Sequence, residues 1–176
     1  RMIFRYALEH MEKELKQEMM VKQHMFREMR RKDRELSLEE TKELLAIGID
    51  GVLGTISENG YPYTVPVNYA YVNNKIYFHS AMTGEKLDNI KRNPNVSFTV
   101  ITRNDILEEE FSTDFQSIIV FGQAKLIHPS KEVLMELIKK YSSTFLKEGK
   151  AYVEKSYKGT QLVEITIEHM TGKTRK

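Results

Sequence analysis

From Thr64 to Tyr71 the chain alternates two kinds of residue. Thr64, Pro66, Asn68 and Ala70 are set against Val65, Val67, Tyr69 and Tyr71, the period-two signature of a strand with two unlike faces. Asn73-Asn74 then supplies residues that accept positive φ, and Lys75 to Ala81 resumes as a second strand, so a tight hairpin is predicted over 61–81. Further strands are predicted at 51–57, 95–103, 116–127 and 161–169. Ile118-Ile119-Val120-Phe121 reads as buried on both sides, and Val163, Ile165 and Ile167 alternate inward. The segment 104–114 is acidic and aperiodic, which predicts an exposed loop.

Helical signals flank these strands. Residues 3–36 hold no Gly or Pro, and Phe4, Leu8, Met11, Leu15 and Met19 recur at spacings of four and three, giving one apolar stripe that wants a partner surface. Ser37-Leu38-Glu39-Glu40 is a capping box that opens a second helix, predicted to stop at Gly48. A helix over 84–92 ends before Asn93-Pro94. Pro129 is predicted at the first helical position of another, with Val133, Leu134, Leu137, Ile138 and Tyr141 on its core face. The fold class expected is α+β: a six-stranded antiparallel split β-barrel with flanking helices and an N-terminal helical extension. The extension occupies 1–34 and the barrel domain 35–176. Gly51-Val52-Leu53-Gly54 is not a GxGxxG motif and no helix follows it, so a doubly wound dinucleotide fold is disfavoured.

The chemistry is expected where the 75–81 strand meets the 84–92 helix. His79, Ser80 and Ala81 lead into Thr83-Gly84-Glu85-Lys86, a strand end running into a helix N-terminus with a lysine in its first turn. Free N–H groups, the helix dipole and the Lys86 ammonium would together cradle an anion such as a phosphate. Ser80 and Thr83 read equally as helix caps or as phosphate donors, with Asn89 one turn on. His79 reads either as a proton relay or as a structural imidazole bonded to the backbone. Pro66 inside a strand marks an edge or a bulge.

Composition narrows the field. The 176 residues carry a net charge of +2 and no cysteine, which removes disulfides, thiolate metal sites and a cysteine nucleophile. The five histidines lack metal-ligand spacing, so no metal is expected. The basic run at 29–34 is interrupted by acids and reads as a solvated helix face, so no nucleic-acid partner is expected. No apolar run reaches the ~20 residues of a membrane helix, and RMIFRYALEH lacks a signal core. A cytoplasmic protein is expected.

Seven elements in order, from MFREMRRKDRELS through Gly51–Thr55, Pro66–Tyr69, Tyr77–His79, Gly84–Lys86 and Ser117–Ala124 to Glu168–Lys173, resemble the pyridoxamine 5'-phosphate oxidase-like FMN-binding split-barrel superfamily. The resemblance is nearest to its nitroimidazole-resistance (Nim-type) branch, and it spans about 25–173. It implies FMN held by Thr64, Val65, Pro66, Val67, Asn68, Phe78, His79, Ser80, Thr83, Lys86 and Asn89, with the 64–67 backbone along the isoalloxazine edge. It implies His79 as the flavin-proximal, catalytic histidine. It further implies a homodimer with flavin at the subunit interface, and a small planar electron acceptor such as a nitroaromatic ring. Two alternatives stand beside this oxidoreductase. One is a vitamin B6 phosphate oxidase-related enzyme, which needs a second, arginine-rich phosphate site. The other is a flavin-binding module without turnover.

Overall fold

The computed structural model describes residues 2–175, in two compact units, Arg1–Lys32 and Asp33–Lys176. The first unit is built on helix α1, Met2–Met25. Leu8, Met11 and Leu15 of the predicted stripe lie on its exposed surface, and Arg5 pairs with Glu9 one turn on at 3.4 Å. The side chains of Phe4 and Met19 fall outside the described residues. The helix is shorter than the pattern predicted. Arg27 lies three and four residues from Arg30 and Arg31, and Arg30 lies four from Arg34, so continuing the helix would stack like charges on one face.

In the second unit α2, Leu38–Ile47, begins with the predicted capping box. Ser37 Oγ accepts from the Glu40 amide at 3.3 Å, and the Glu40 carboxylate accepts from the Ser37 amide at 2.8 Å. The strands are β1 Asp50–Ile56, β2 Pro62–Asn68, β3 Ala70–Val72, β4 Lys75–Ser80, β5 Asn95–Leu107, β6 Ser112–Ile127 and β7 Gln161–Arg175. The remaining helices are α3 Glu85–Arg92, α4 Lys131–Tyr141 and α5 Leu146–Ser156. The strand pairs are antiparallel, in the order β2-β1-β5-β6-β7-β4-β3. Asn73 and Asn74 take φ of 50° and 60°, as the predicted two-residue turn requires.

Among the described residues seven strands stand where six were expected, because the predicted 61–72 strand breaks at Tyr69. That residue is fully buried, its ring edge-on to Phe98 at 5.0 Å. Its backbone leaves the ladder for a side chain. The Tyr69 N–H donates to the Tyr141 hydroxyl at 2.9 Å, and that hydroxyl reaches the carbonyls of Tyr69 and Ile49 at 2.9 and 2.6 Å. With those polar groups satisfied from α4, the chain crosses from one sheet edge, β2, to the other, β3. The sheet therefore curls back on itself, β2 approaching β4 without ladder bonds. Leu53, Phe98, Val120, Ile76, Phe78 and Val163 line the enclosed core.

Four further expectations need correction. Residues 104–114 form a β-hairpin continuing β5 and β6, since ladder bonds need no apolar side chains; only Glu108–Glu110 turn. Ile118 and Val120 are buried, but Ile119 and Phe121 point outward, 43% and 39% exposed. The last strand does not end at His169: β7 runs to Arg175, which pairs with Phe115. Ser130, not Pro129, begins α4 by accepting from the Val133 amide. The unforeseen α5 packs on α4 through Gly149, where a Cβ would meet Ile138 at 2.4 Å. These two helices cover Ala70 and Leu162 on the outer side of the sheet.

Lys140 gives the fold a measurable pH signature. Its ammonium lies 3.8 Å over the Tyr69 ring, with no hydrogen-bond partner among the described residues. Burial lowers its pKa to about 8 against an opposing pull from Asp50. Unfolded, the same lysine titrates near 10.5. Between those values the unfolded chain binds more protons, so stability should rise with pH across that window. Above pH ~10 the Tyr69 phenol, its pKa raised by burial, works in the opposite direction. Urea midpoints measured from about pH 7.5 to about pH 10 should climb, and Lys140→Met should flatten the climb. An unchanged slope in the variant would assign the effect to other groups.

Candidate functional site

The corner predicted from sequence forms at the end of β4. Phe78 and Ser80 point inward and His79 outward, because alternate residues of a strand face opposite sides. Ser80 is 8% exposed, and its Oγ has no hydrogen-bond partner among the described residues. A buried, unsatisfied hydroxyl costs about 1–3 kcal/mol. Gly84, at φ 142°, turns the chain into α3 and contributes no side-chain cap. In the first turn of α3 the Leu87 amide is taken by the Gly84 carbonyl at 2.9 Å, which leaves the Glu85 and Lys86 amides as donors, with the Lys86 side chain half-buried. Neither Ser80 nor Thr83 caps the helix; Thr83 is exposed.

Asn89 is placed elsewhere. It is fully buried, donating to Thr55 Oγ1 at 3.0 Å and accepting from Arg92 Nη2 at 2.7 Å. Its amide is consumed in pinning α3 to β1. Ser57 strengthens the pin by donating to the Glu85 carboxylate at 2.8 Å. These bonds pin α3 to β1 and the turn after it, and they involve neither Ser80 nor Lys86.

Thr64, Val65, Pro66, Val67 and Asn68 lie on β2, an edge strand, as the proline required. Val65 and Val67 lean on the core, and Thr64, Pro66 and Asn68 face out. Phe78 is wholly within the core, so only its backbone is available to a ligand. The His79 imidazole is exposed on the outer face, yet close enough to protein that desolvation lowers its pKa below 6.5.

Sequence reasoning missed the carboxylate beside it. Glu164 of β7 lies opposite Tyr77, two residues from His79 on the same face. Its side chain is only 9% exposed, gripped by Lys75 at 2.9 Å, Lys125 at 3.1 Å and the Tyr77 hydroxyl at 2.9 Å. Burial pushes its pKa up, but those three donors outweigh it and hold the carboxyl below its usual range. Burial and the bond to Glu164 push the Tyr77 phenol up to about 12. The signal was an acid inside the apolar run Leu162-Val163-Glu164-Ile165. Among the described residues no group of three His, Asp or Glu could hold a metal, and no helix is long and apolar enough to cross a membrane.

A curled, seven-stranded antiparallel sheet with helices at its flank defines an α+β protein. The chain belongs to the pyridoxamine 5'-phosphate oxidase family, whose model matches residues 37–174. Three solved structures are similar to it. One is the conserved hypothetical protein Rv2991 of Mycobacterium tuberculosis, 20% identical, TM-score 0.72, covering 84% of this chain and 90% of that one. Another is a candidate 5-nitroimidazole antibiotic resistance protein of Bacteroides thetaiotaomicron, 20% identical, TM-score 0.61, covering 79% and 85%. The third is an FAD-binding protein of Mesorhizobium loti, 23% identical, TM-score 0.59, covering 81% and 98%. At these identities the likeness is one of fold. An uncharacterised Rhizobium meliloti protein is 32% identical over 90 residues, 51% of this chain, and the chain spans about half that relative's length, 54%.

Proposed function

We propose that this chain binds FMN at the β4–α3 corner of a homodimer and acts as a flavin-dependent oxidoreductase on a small, planar, electron-poor acceptor of the nitroaromatic kind. The observation that carries the reading is the orphaned Ser80 hydroxyl. It is a buried hydroxyl with no partner among the described residues, on the strand end that leads through Gly84 into a helix with no side-chain cap and with Lys86 in its first turn. A phosphate monoester would satisfy all three at once. The isoalloxazine supplies the redox chemistry when bound. The chain's own part is to hold the phosphate at Ser80 and Lys86, to offer the β2 edge to the ring, and to place the His79 imidazole where a proton is needed.

The surroundings favour FMN over FAD. Next to the corner, a groove is lined by Ser57, Asn59 and Arg92 together with the carboxylates of Glu58, Glu85 and Asp88. Arg92 is already engaged by Asn89 and Glu58. The carboxylates there repel a second phosphate. The vitamin B6 phosphate oxidase alternative loses ground for a similar reason. Arg103, on β5, is spent on Asp114, Thr174 and the Arg175 carbonyl.

The outer sheet face supports two subunits. Pro66, Val52, Thr99 and Ile119 stand side by side across β2, β1, β5 and β6, with Phe121 and Ile101 adjoining. An exposed apolar stripe across four strands marks an interaction surface. Purified protein should be yellow, show two flavin absorption bands, and release FMN rather than FAD on denaturation. NAD(P)H consumption with an added nitroaromatic then separates an enzyme from a flavin-carrying module. A colourless protein that takes up no added flavin would sink this reading.

A further inference from the structure

Beyond Asp105 and Asp114 the residues of the β5–β6 hairpin pair only with each other among the described residues. The hairpin carries Ile106 at 65% exposure and, at its tip, Phe111 at 98% in the left-handed region. Asp105, Glu108, Glu109 and Glu110 give the tip four carboxylates.

The outer face continues onto this arm along β6, past a bulge in β5 between Ile101 and Arg103. Along β6 every second residue points outward: Lys125, Gln123, Phe121, Ile119, Ser117 and Phe115. Across the ladder Ile101 faces Ser117, Asn104 faces Phe115, and Ile106 faces Thr113. The body of the sheet and the arm therefore present one surface. Its two ends carry opposite charge: the acidic tip at one, Lys125 and Lys75 on the shared carboxylate of Glu164 at the other.

We infer that the arm is a dimerisation arm: it lies along the outer sheet face of a second copy and sets its acidic tip on that copy's Lys75–Lys125 pair, beside His79. The inference rests on the two-subunit reading above and adds what the partner contributes to the site. Like charge decides the orientation. Two tips side by side would oppose carboxylates with carboxylates, whereas a two-fold axis across the strands exchanges each tip for a basic end. The lengths agree. Residue 118 is midway between Phe111 and Lys125, seven residues from each, or about 23 Å of strand. An axis beside Ile119 superposes tip and lysines, and Phe111 then covers the open side of the partner's His79.

The chain contains no tryptophan, so Phe111→Trp places a single reporter at the tip. In the full-length dimer the emission of this introduced indole should be blue-shifted, and it should move to the red as dilution yields monomer, in step with sedimentation. Reversing Glu109 and Glu110 to lysine should weaken the dimer roughly tenfold or more, and adding Lys125→Glu to the same chain should recover most of the loss. Indole emission as wet in the dimer as in the monomer would overturn the inference while leaving a flavin-binding dimer intact. So would charge reversal that leaves dimerisation unmoved. A wild-type chain that is monomeric at every concentration would overturn both readings. A dimer that buries the tip indole but binds no flavin would leave the arm standing and remove the cofactor.

Discussion

Replacing Lys86 by alanine is expected to weaken FMN binding roughly ten- to a hundredfold and riboflavin binding far less. Only FMN carries the phosphate, and a charge-assisted contact of this kind contributes about 1.5–3 kcal/mol. The position explains the size. A cation in the first turn of α3 opposes the helix dipole unless an anion is nearby, and the acids of that turn, Glu85 and Asp88, are directed to Ser57 and Lys91. Removing Lys86 should leave the fold undisturbed, because Asn89, Thr55 and Arg92 anchor α3 from its other side. Ser80→Ala should weaken FMN in the same selective sense. It should also raise stability slightly in the absence of flavin, since it deletes a buried hydroxyl with no partner among the described residues. Titrating both flavins against both variants, followed by flavin fluorescence, decides the matter. Equal losses for FMN and riboflavin would show that the corner does not hold the phosphate.

The second large effect concerns His79. The alanine variant should keep its FMN, because the imidazole points away from the Ser80 side of β4, yet pass electrons to the acceptor about 100-fold more slowly per bound flavin. The pH dependence follows from the environment. Desolvation lowers the histidine pKa below 6.5, so its acid form is populated below the lowered value and lost as pH rises through it. Turnover limited by this proton should therefore fall along a limb centred below pH 6.5, and His79→Ala should abolish the limb. A structural imidazole would behave differently. Its loss would lower the melting temperature and leave turnover per flavin and the pH profile as in the wild type. Stopped-flow reduction and reoxidation, normalised to flavin content, separate these outcomes.

How much of this was legible beforehand depends on how far apart in sequence the deciding residues lie. The corner was legible. His79, Ser80, Gly84 and Lys86 fall within eight residues of one another, and a strand end followed by a glycine-led helix is a local pattern. Glu164 was not, because its partners Lys75, Tyr77 and Lys125 are brought to it by β4–β7 and β6–β7 pairing. The partners of Asn89 were hidden for the same reason. One turn after Lys86 it looks available, but Thr55, 34 residues upstream, claims its amide.

Period and turn chemistry by themselves determined the strand-rich α+β class, the Asn73-Asn74 hairpin, the Ser37 capping box and the edge position of Pro66. Each depends on contacts within a few residues, which the chain carries with it wherever it goes. Tertiary structure alone decided three things: where the strand over 61–72 breaks, which side of β6 is buried, and whether 104–114 is a loop or an arm. The Tyr141 hydroxyl, reaching back from α4, takes the backbone of Tyr69 out of the ladder. Ile118 and Ile119 are chemically alike, and only the curl of the sheet puts one inside and the other on the surface. Burial is a property of what stands opposite, and for these residues that is chain distant in sequence.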